Sequence, residues 1–222
     1  MSLRLPKFVL FDLDGTLLDS LPGIEFSVRA AFSACGLPLL HDDLREMIGP
    51  PIRTILSEAG DIADENSLDR LEQAFRVNHD SEGWRKTVCF PDAGRVLQNM
   101  HELGHQLFVL SNKPRHISVK ILENEGILKL FSAVVTRDSR SPAYSGKEEM
   151  IRTLMAERSI SSSNCLMVGD TLEDAKAAAI AGVQFAWMTY GYGTVVETPS
   201  IPVAWRLDGL SEFLTMMEPV CD

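Results

Sequence analysis

The sequence has little positive charge. Its 222 residues include 21 Lys and Arg against 31 Asp and Glu, which gives a formal net charge of −10 at pH 7. Proteins that bind duplex nucleic acid usually carry a basic surface, so the charge balance argues against a nucleic-acid partner. It does not argue against an anionic substrate, because an acidic enzyme can bind anions at a local positive site.

Cysteine is also scarce, and no C-x-x-C pair is present. The four cysteines are far apart in the chain, at Cys35, Cys89, Cys165 and Cys221. This spacing supports neither a zinc site nor a disulfide framework. Reduced cysteines of a cytoplasmic protein are the simpler interpretation.

Long apolar runs are missing as well. No stretch approaches the length that a membrane-spanning helix needs. The apolar run at Phe8–Phe11 is too short for the hydrophobic segment of a signal peptide, and acidic residues follow at once. We therefore expect a cytoplasmic protein that has no membrane partner. The expected oligomeric state is a monomer or a homodimer.

Hydrophobic residues make up 45% of the chain and charged residues 23%, which is typical of a folded globular protein. The length fits one core domain with a modest insertion. After the apolar run at 8–11, residues 21–86 show only helical spacing, with helices predicted at 23–36, 42–49 and 67–80. The sequence therefore predicts one strand followed by a small helical block.

From residue 94 onward, segments with helical spacing alternate with short apolar segments typical of strands, and the chain ends with a helix predicted at 210–217. This alternation predicts right-handed βαβ units and a parallel sheet. We therefore predict an α/β fold. Its Rossmann-like parallel-sheet core comprises residues 1–18 and 89–222, and a small helical insertion occupies residues 19–88.

The first strand ends in two acids separated by one residue, Asp12 and Asp14. Because side chains alternate along a strand, both carboxylates can point the same way. Two like charges at the end of a buried strand are costly unless a cation neutralises them. Gly15 then permits a tight turn or a close approach of backbone to a ligand, and Thr16 adds a hydroxyl and an amide.

Polar residues also follow two later strands. They are Ser111 and Asn112 after one strand, and Asp170 with Asp174 after another. In parallel sheets, ligands collect beyond the carboxyl ends of the strands. Each motif alone has an ordinary structural explanation, such as a turn or a helix N-cap. Together they predict one site, in which the clustered acids form a hard oxygen site suited to Mg²⁺.

These motifs resemble those of the haloacid dehalogenase-like hydrolases. The segment "DLDGT" resembles the first family motif, "SN" the second and "GDTLED" the fourth. The helical block at 19–88 has the position of the family's small helical cap. Within the family, "FDLDGTLLDS" and the long alternation of strands and helices are most similar to the phosphoglycolate phosphatase-like branch.

The third motif of the family, a lysine, has two candidates. Members of this branch usually carry a lysine followed by proline-rich sequence. The corresponding stretch here reads "SRSPAYSGKEEM", and its Lys147 begins a predicted helix but lacks the prolines. Lys113, in "SNKP", is the competing residue. We favour Lys147, and the sequence leaves Lys113 open.

The resemblance implies phosphoryl transfer through an aspartyl-phosphate. Asp12 would be the nucleophile and Asp14 the general acid and base. Lys147 would offset charge between the nucleophile and the phosphate. Mg²⁺ would be bound by Asp12, Asp170 and the backbone carbonyl of Asp14. Asp174 would orient Lys147 or a metal-bound water.

The resemblance also implies which groups bind the phosphoryl oxygens. These would be Ser111, Asn112, Gly15 and Thr16, through hydroxyl, side-chain amide and backbone N–H groups. The cap would close over the site and set the substrate.

Two arginines of the insertion, Arg45 and Arg53, are candidates for a substrate carboxylate, although solvated helix residues of this kind are common. His41 and His79 are predicted to be helix caps or surface residues. The predicted function is a Mg²⁺-dependent phosphatase that acts on a small phosphorylated metabolite, with a phosphoglycolate-like acid as the best single candidate.

Two alternatives remain open at the level of sequence. A sugar-phosphate mutase similar to beta-phosphoglucomutase would share every core motif and differ in its cap. A catalytically silent relative could bind a phosphorylated ligand or a partner protein, and the unusual stretch around Lys147 is the feature in its favour. A dehalogenase is disfavoured, because the resemblance implies that dehalogenases lack an acid at the position of Asp14.

Overall fold

The computed structural model describes residues 5–217. Residues 1–4 and 218–222, which include Cys221 and the two ends of the predicted core, lie outside the described part. In chain order the strands are β1 (Phe8–Phe11), β2 (Leu18–Asp19), β3 (Val88–Cys89), β4 (Gln106–Ser111), β5 (Phe131–Thr136), β6 (Cys165–Gly169), β7 (Gln184–Met188) and β8 (Trp205–Leu207). The α-helices are α1 (Leu21–Cys35), α2 (Ile52–Gly60), α3 (Glu65–Ser81), α4 (Ala93–Glu102), α5 (Arg115–Asn124), α6 (Lys147–Arg158) and α7 (Leu172–Ala181).

Six strands form one parallel sheet in the order β5-β4-β1-β6-β7-β8. The predicted α/β fold with a Rossmann-like parallel sheet is confirmed. Along β1, Val9 and Phe11 belong to the apolar core on one face of the sheet, and Leu10 belongs to the core on the other face. Because both faces are covered, β1 is apolar throughout, as expected for a central parallel strand.

The strand order decides which side chains meet. Because β1 lies between β4 and β6, the carboxyl end of β1 is flanked by the ends of those two strands. The register pairs Phe11 with Val109 and with Val168. The polar residues that follow these three strands therefore lie at one edge of the sheet.

The insertion forms a helical unit with its own apolar core. Val28, Phe32, Leu56 and Leu71 are buried within it. The antiparallel ribbon of β2 and β3 joins this unit to the sheet. The predicted boundaries at 18/19 and 88/89 fall within this ribbon. The sequence did not reveal the ribbon, because strands of two residues show no periodicity.

Two predicted helices are shorter than expected. The segment 42–49 forms only a 3-10 helix at Arg45–Met47, where Asp43 accepts a hydrogen bond from the Arg45 N–H. Pro50 and Pro51 follow directly, and proline restricts the residue before it to extended conformations. The segment 210–217 likewise forms a 3-10 helix, at Leu210–Thr215. Within residues 5–217, no helix combines the length and the apolarity that a membrane crossing requires.

Candidate active site

The turn after β1 brings the chain against Asp170. Gly15 has a φ of +82°, and a Cβ at this position would lie 2.3 Å from Asp170 Oδ2. Asp12 is held in line with the sheet, because its N–H donates to the Val168 carbonyl at 2.9 Å. The glycine in the motif is therefore explained by both backbone conformation and space.

We expect Gly15→Ala to abolish most of the activity, because a Cβ would displace the Asp170 carboxylate. Gly36→Ala is the matched control, since Gly36 has a φ of +66° and a Cβ added there would meet no atom within 4 Å. Both variants should lose roughly 1 kcal/mol of stability from the positive φ. Thermal melts and turnover of the two proteins test this, and equal activity losses in both would contradict it.

Asp170 is fully buried and receives three hydrogen bonds. Its carboxylate accepts from the N–H groups of Tyr192 at 2.8 Å and Gly193 at 3.2 Å, and from Thr16 Oγ1 at 3.1 Å. Burial, with the nearby charge of Asp174, raises the pKa of Asp170 to about 6. Thr16, predicted to bind phosphoryl oxygens, thus uses its side-chain hydroxyl to hold Asp170.

Lys147 lies between two carboxylates. It is the first residue of α6, its side chain is 1% exposed, and its Nζ is 2.8 Å from Asp12 and 2.6 Å from Asp174. Burial opposes the charged form, but Asp12 and Asp174 outweigh it and raise the pKa of Lys147. The ammonium group is therefore charged and fixed beside Asp12.

Asp174 is oriented by the start of α7. Its Oδ2 accepts from the Thr171 N–H at 3.1 Å and from Thr171 Oγ1 at 2.6 Å, and Thr171 Oγ1 accepts in turn from the Asp174 N–H. This capping box fixes the carboxylate. The other oxygen of Asp174 is thereby aimed at Lys147, the contact predicted for it.

Three buried carboxylates converge at the sheet edge. Asp12, Asp170 and Asp174 each offer one oxygen, and these atoms lie within 4.8 Å of one another. Lys147 supplies a single positive charge against them, and burial raises the pKa of Asp12. An uncompensated, all-oxygen cluster fits a hard divalent cation. The side chain of Asp14 is outside this cluster, so only its backbone carbonyl remains available for the ligand role predicted for it.

Asp14 forms an ion pair with a second lysine, Lys113. Lys113 Nζ lies 2.9 Å from Asp14 Oδ1 and 3.3 Å from Oδ2, and its side chain is 5% exposed. Burial would raise the pKa of Asp14, but Lys113 reverses the effect and lowers it. The two candidate lysines therefore contact different acids, Lys147 beside Asp12 and Lys113 beside Asp14.

Asn112, which directly follows β4, connects the core to the insertion. Asn112 Nδ2 donates to the Gly49 carbonyl at 3.0 Å and to Glu173 at 3.1 Å. Ser111 Oγ accepts from the Lys113 N–H at 3.2 Å. Both side chains line the cavity described next, where they were predicted to bind phosphoryl oxygens, and in this conformation both have protein partners.

A cavity of about 300 Å³ separates the sheet edge from the insertion. Asp12 and Asp14 line its floor, and Ile48, Ile52 and Phe75 are among the apolar side chains of its opposite wall. Its size is at the lower end of the range for small-molecule sites.

Arg53 lines this cavity but is already ion-paired. Its guanidinium contacts Glu65, lies 2.8 Å from Asp69 and lies 3.1 Å from Glu72. These carboxylates raise the pKa of Arg53. In this conformation the two terminal nitrogens of Arg53 already donate to carboxylates of the protein, and its role in binding a substrate carboxylate stays a prediction. Arg45, the other candidate, lies over the Tyr192 ring at 5.3 Å.

His79 is not a surface residue, contrary to prediction. It is 4% exposed, its Nδ1 is 3.2 Å from Ser27 Oγ, and its ring stacks on Phe75 with centroids 5.0 Å apart. Burial, assisted by the positive charge of Lys113, lowers the pKa of His79 to about 4. The imidazole is therefore neutral at pH 7. The buried face of α3 could have indicated this, because His79 follows Phe75 by four residues.

Tyr192 was missed by the sequence analysis. Its hydroxyl accepts from the N–H groups of Ser20 at 2.8 Å and Leu21 at 3.0 Å, and donates to Asp19 at 2.8 Å. It thereby holds the junction between β2 and α1 against the loop that also supports Asp170. Contacts between residues so distant in the chain leave no periodic signal.

Comparison with known proteins identifies the family. Residues 9–188 match the haloacid dehalogenase-like hydrolase family. The chain is 30% identical over 219 residues to a phosphoglycolate phosphatase of Vibrio parahaemolyticus, covering 95% of this chain and 96% of that protein. It is also 30% identical over 215 residues to the tyrosine-protein kinase PtkA of Mycobacterium tuberculosis, covering 94% of this chain and 72% of that protein.

Solved structures agree in fold. A predicted phosphatase from Clostridium acetobutylicum has a TM-score of 0.83 at 27% identity, covering 96% of this chain and 98% of that one. The structure of PtkA from M. tuberculosis has a TM-score of 0.78 at 29% identity, covering 94% of this chain and 98% of that one. The resemblance seen in the motifs is confirmed: the chain belongs to the haloacid dehalogenase-like hydrolases.

Proposed function

We propose that this hydrolase is a Mg²⁺-dependent phosphatase of small phosphomonoesters that works through an aspartyl-phosphate. The observation that carries the proposal is the position of Lys147, buried between Asp12 and Asp174 with Asp170 alongside. The names of relatives do not decide the reaction, because both a phosphatase and a kinase are among them. The geometry of the carboxylates and the lysine supports phosphoryl transfer.

In the first step, an oxygen of Asp12 attacks phosphorus and the ester oxygen leaves. Lys147, 2.8 Å from Asp12, offsets the charge that gathers between nucleophile and phosphoryl group. The Asp14–Lys113 pair, which lines the same cavity, gives a proton to the leaving oxygen. In the second step this pair takes one proton from the water that attacks the acyl-phosphate, so the proton count balances.

Asp12, Asp170 and the backbone carbonyl of Asp14 would hold Mg²⁺, which supplies charge neutralisation at the phosphoryl oxygens when bound. The protein's own residues position the lysine and exclude water from the site. Asp174 keeps Lys147 in place, and the insertion, acting as a cap over residues 12 and 14, excludes water.

A small phosphorylated metabolite is the substrate class that a cavity of about 300 Å³ supports. The names of several relatives favour phosphoglycolate or a similar phosphorylated acid. The cytoplasmic location, the oligomeric state and the division into core and cap stay predictions.

The proposal is tested by phosphate release from p-nitrophenyl phosphate and from a panel of metabolite phosphates, with and without Mg²⁺. A sugar-phosphate mutase would instead interconvert sugar phosphates without net phosphate release. A silent relative would release none in any condition. Transfer of phosphate from ATP to tyrosine, with no ester hydrolysis, would contradict the proposal directly.

We expect Mg²⁺ to raise the melting temperature more at about pH 7.5 than at about pH 5. The pKa of Asp170 is raised from 3.8 to about 6 in the folded protein. Between these values the unfolded chain binds fewer protons, so the metal-free protein loses stability as pH rises through this window. Bound Mg²⁺ offsets that loss by compensating the ionised carboxylates.

Asp170→Asn should remove the Mg²⁺-dependent shift and stabilise the metal-free protein at neutral pH. Asp61→Asn is the control, because Asp61 is exposed on the insertion at a left-handed position that asparagine tolerates. Differential scanning calorimetry of the three proteins provides the measurement. A Mg²⁺ shift independent of pH, or retained in Asp170→Asn, would contradict the assignment.

A further inference from the structure

One cation in the cavity wall has no acidic partner. Arg137 directly follows β5, and its N–H donates to the Ser111 carbonyl at 3.3 Å, which fixes it beside the end of β4. The side chain is partly buried and lines the cavity. Its Nε donates to the Tyr144 carbonyl at 3.0 Å. The two terminal nitrogens of the guanidinium have no hydrogen-bond partner among residues 5–217.

The other cations of the cavity wall are neutralised by neighbouring acids. Arg76 lies 2.6 Å from Glu72, which also pairs with Arg53. Lys113 is paired with Asp14 as described above. Within the described chain, Arg137 is therefore the cavity-lining arginine or lysine without a carboxylate.

The acid next to Arg137 in sequence does not pair with it. Asp138 accepts from the Arg115 N–H at 3.0 Å and from Thr136 Oγ1 at 2.6 Å. The Asp138 carboxylate therefore faces the start of α5, where the helix dipole stabilises an anion. Arg137 keeps an uncompensated positive charge, together with the planar donor pair that matches a carboxylate.

The strand order gives the separation between the backbone positions of Arg137 and Asp12. β4 separates β5 from β1, so the strand ends that carry Arg137 and Asp12 are two strand spacings apart, about 10 Å. Arg137 and Asp12 line the same cavity, so a substrate that contacted both would carry its two anionic groups on a short carbon chain. The cap side of the cavity includes the apolar side chains of Ile24, Ile48 and Ile52.

We propose that Arg137 binds a carboxylate of the substrate, so that the preferred substrates are phosphomonoesters of short hydroxy acids. The inference rests on the proposed function, with the phosphoryl group at Asp12. It assigns to Arg137 the role that the sequence suggested for Arg45 or Arg53. Arg137 is a specificity-determining residue at the opposite end of the substrate from the reacting bond.

The kinetic test compares phosphooxy acids of two to six carbons with alkyl phosphates of equal length. We expect wild type to prefer one of the acids and Arg137→Gln to lose roughly ten- to hundred-fold in kcat/KM for it, mainly through KM. Alkyl phosphate turnover should change little, and Arg137→Lys should recover part of the preference. A preference for alkanediol bisphosphates over the acids would overturn the carboxylate assignment.

Arg140→Gln is the matched control. Arg140 is in the same loop, stacks on Tyr144 at 4.0 Å and pairs with Glu149, outside the cavity lining. Its replacement should leave the preference for acids unchanged. Equal losses in Arg140→Gln and Arg137→Gln, or an equal loss for acids and alkyl phosphates in Arg137→Gln, would overturn the proposal.

A binding experiment separates this inference from the proposed function. Calorimetry with Mg²⁺ compares 3-phosphonopropionate with propylphosphonate, which has a methyl group in place of the carboxylate. We expect wild type to bind the first more tightly and Arg137→Gln to bind both alike. If no phosphomonoester were hydrolysed, the proposed function would fail, while this binding difference would still support Arg137. Equal binding of both compounds by wild type would overturn the inference.

Discussion

Asp12→Asn is expected to lower phosphate release by roughly four orders of magnitude or more, as loss of a nucleophile does in other enzymes. An amide is a poor nucleophile, and the change also removes one of the three carboxylates of the acidic cluster. The fold should persist, because the amide oxygen can still accept from Lys147. Steady-state kinetics with Mg²⁺ and circular dichroism of the purified variant provide the measurement.

Two further variants are compared with Asp12→Asn. Asp61→Asn makes the same chemical change at an exposed residue outside the cavity lining and should keep full activity. Asp14→Asn should still form the aspartyl-phosphate from p-nitrophenyl phosphate, since this leaving group needs little protonation, but should hydrolyse it slowly. A phosphoenzyme trapped by acid quench in Asp14→Asn, and absent in Asp12→Asn, is the expected pattern. A folded Asp12→Asn protein with wild-type turnover would contradict the proposed mechanism.

Lys147→Met is expected to cause the second largest loss, roughly a hundred-fold or more in kcat, together with a loss of stability near neutral pH. Lys147 is the cation that contacts both Asp12 and Asp174. Removing one partner of a buried ion pair leaves uncompensated charge and typically costs about 3–5 kcal/mol. Because protonation of the carboxylates relieves this cost, the variant should recover stability as pH falls.

Lys113→Met tests the competing lysine. Lys113 contacts Asp14 rather than Asp12, so the loss should be smaller for p-nitrophenyl phosphate than for alkyl phosphates, whose leaving groups need a proton. If Lys147→Met does not fold, Lys147→Arg keeps the charge with altered geometry and should fold with low activity. A larger loss in Lys113→Met than in both Lys147 variants would mean that the wrong lysine was assigned to the nucleophile.

Local patterns in the sequence were sufficient to locate the strand ends. β1, β4 and β6 are short apolar runs that end in polar residues, and parallel strands align their carboxyl ends at one edge. Asp12, Ser111 and Asp170 could therefore be assigned to one site from periodicity and chain order. The family resemblance in the motifs led to the same residues.

Local patterns failed where a short segment had conflicting preferences. The segment 42–49 has helical spacing, but it forms only Arg45–Met47, a 3-10 helix, because two prolines follow it. His79 was also mispredicted, although it follows Phe75 by four residues on the buried face of α3. Its contact with Ser27 of α1 is the part that the pattern within α3 does not contain.

Which charges meet was decided by the tertiary structure alone. The sequence favours Lys147 but leaves Lys113 open, and the partners of the two lysines are fixed only when α6 and β4 pack around β1. Arg53 pairs with acids that α3 presents to it, whereas Arg137 has no carboxylate partner among residues 5–217, because Asp138 faces α5. The physical reason is that periodicity records which face of an element is buried. Charge pairing instead depends on distances of a few ångströms between elements far apart in the chain, which only their packing fixes.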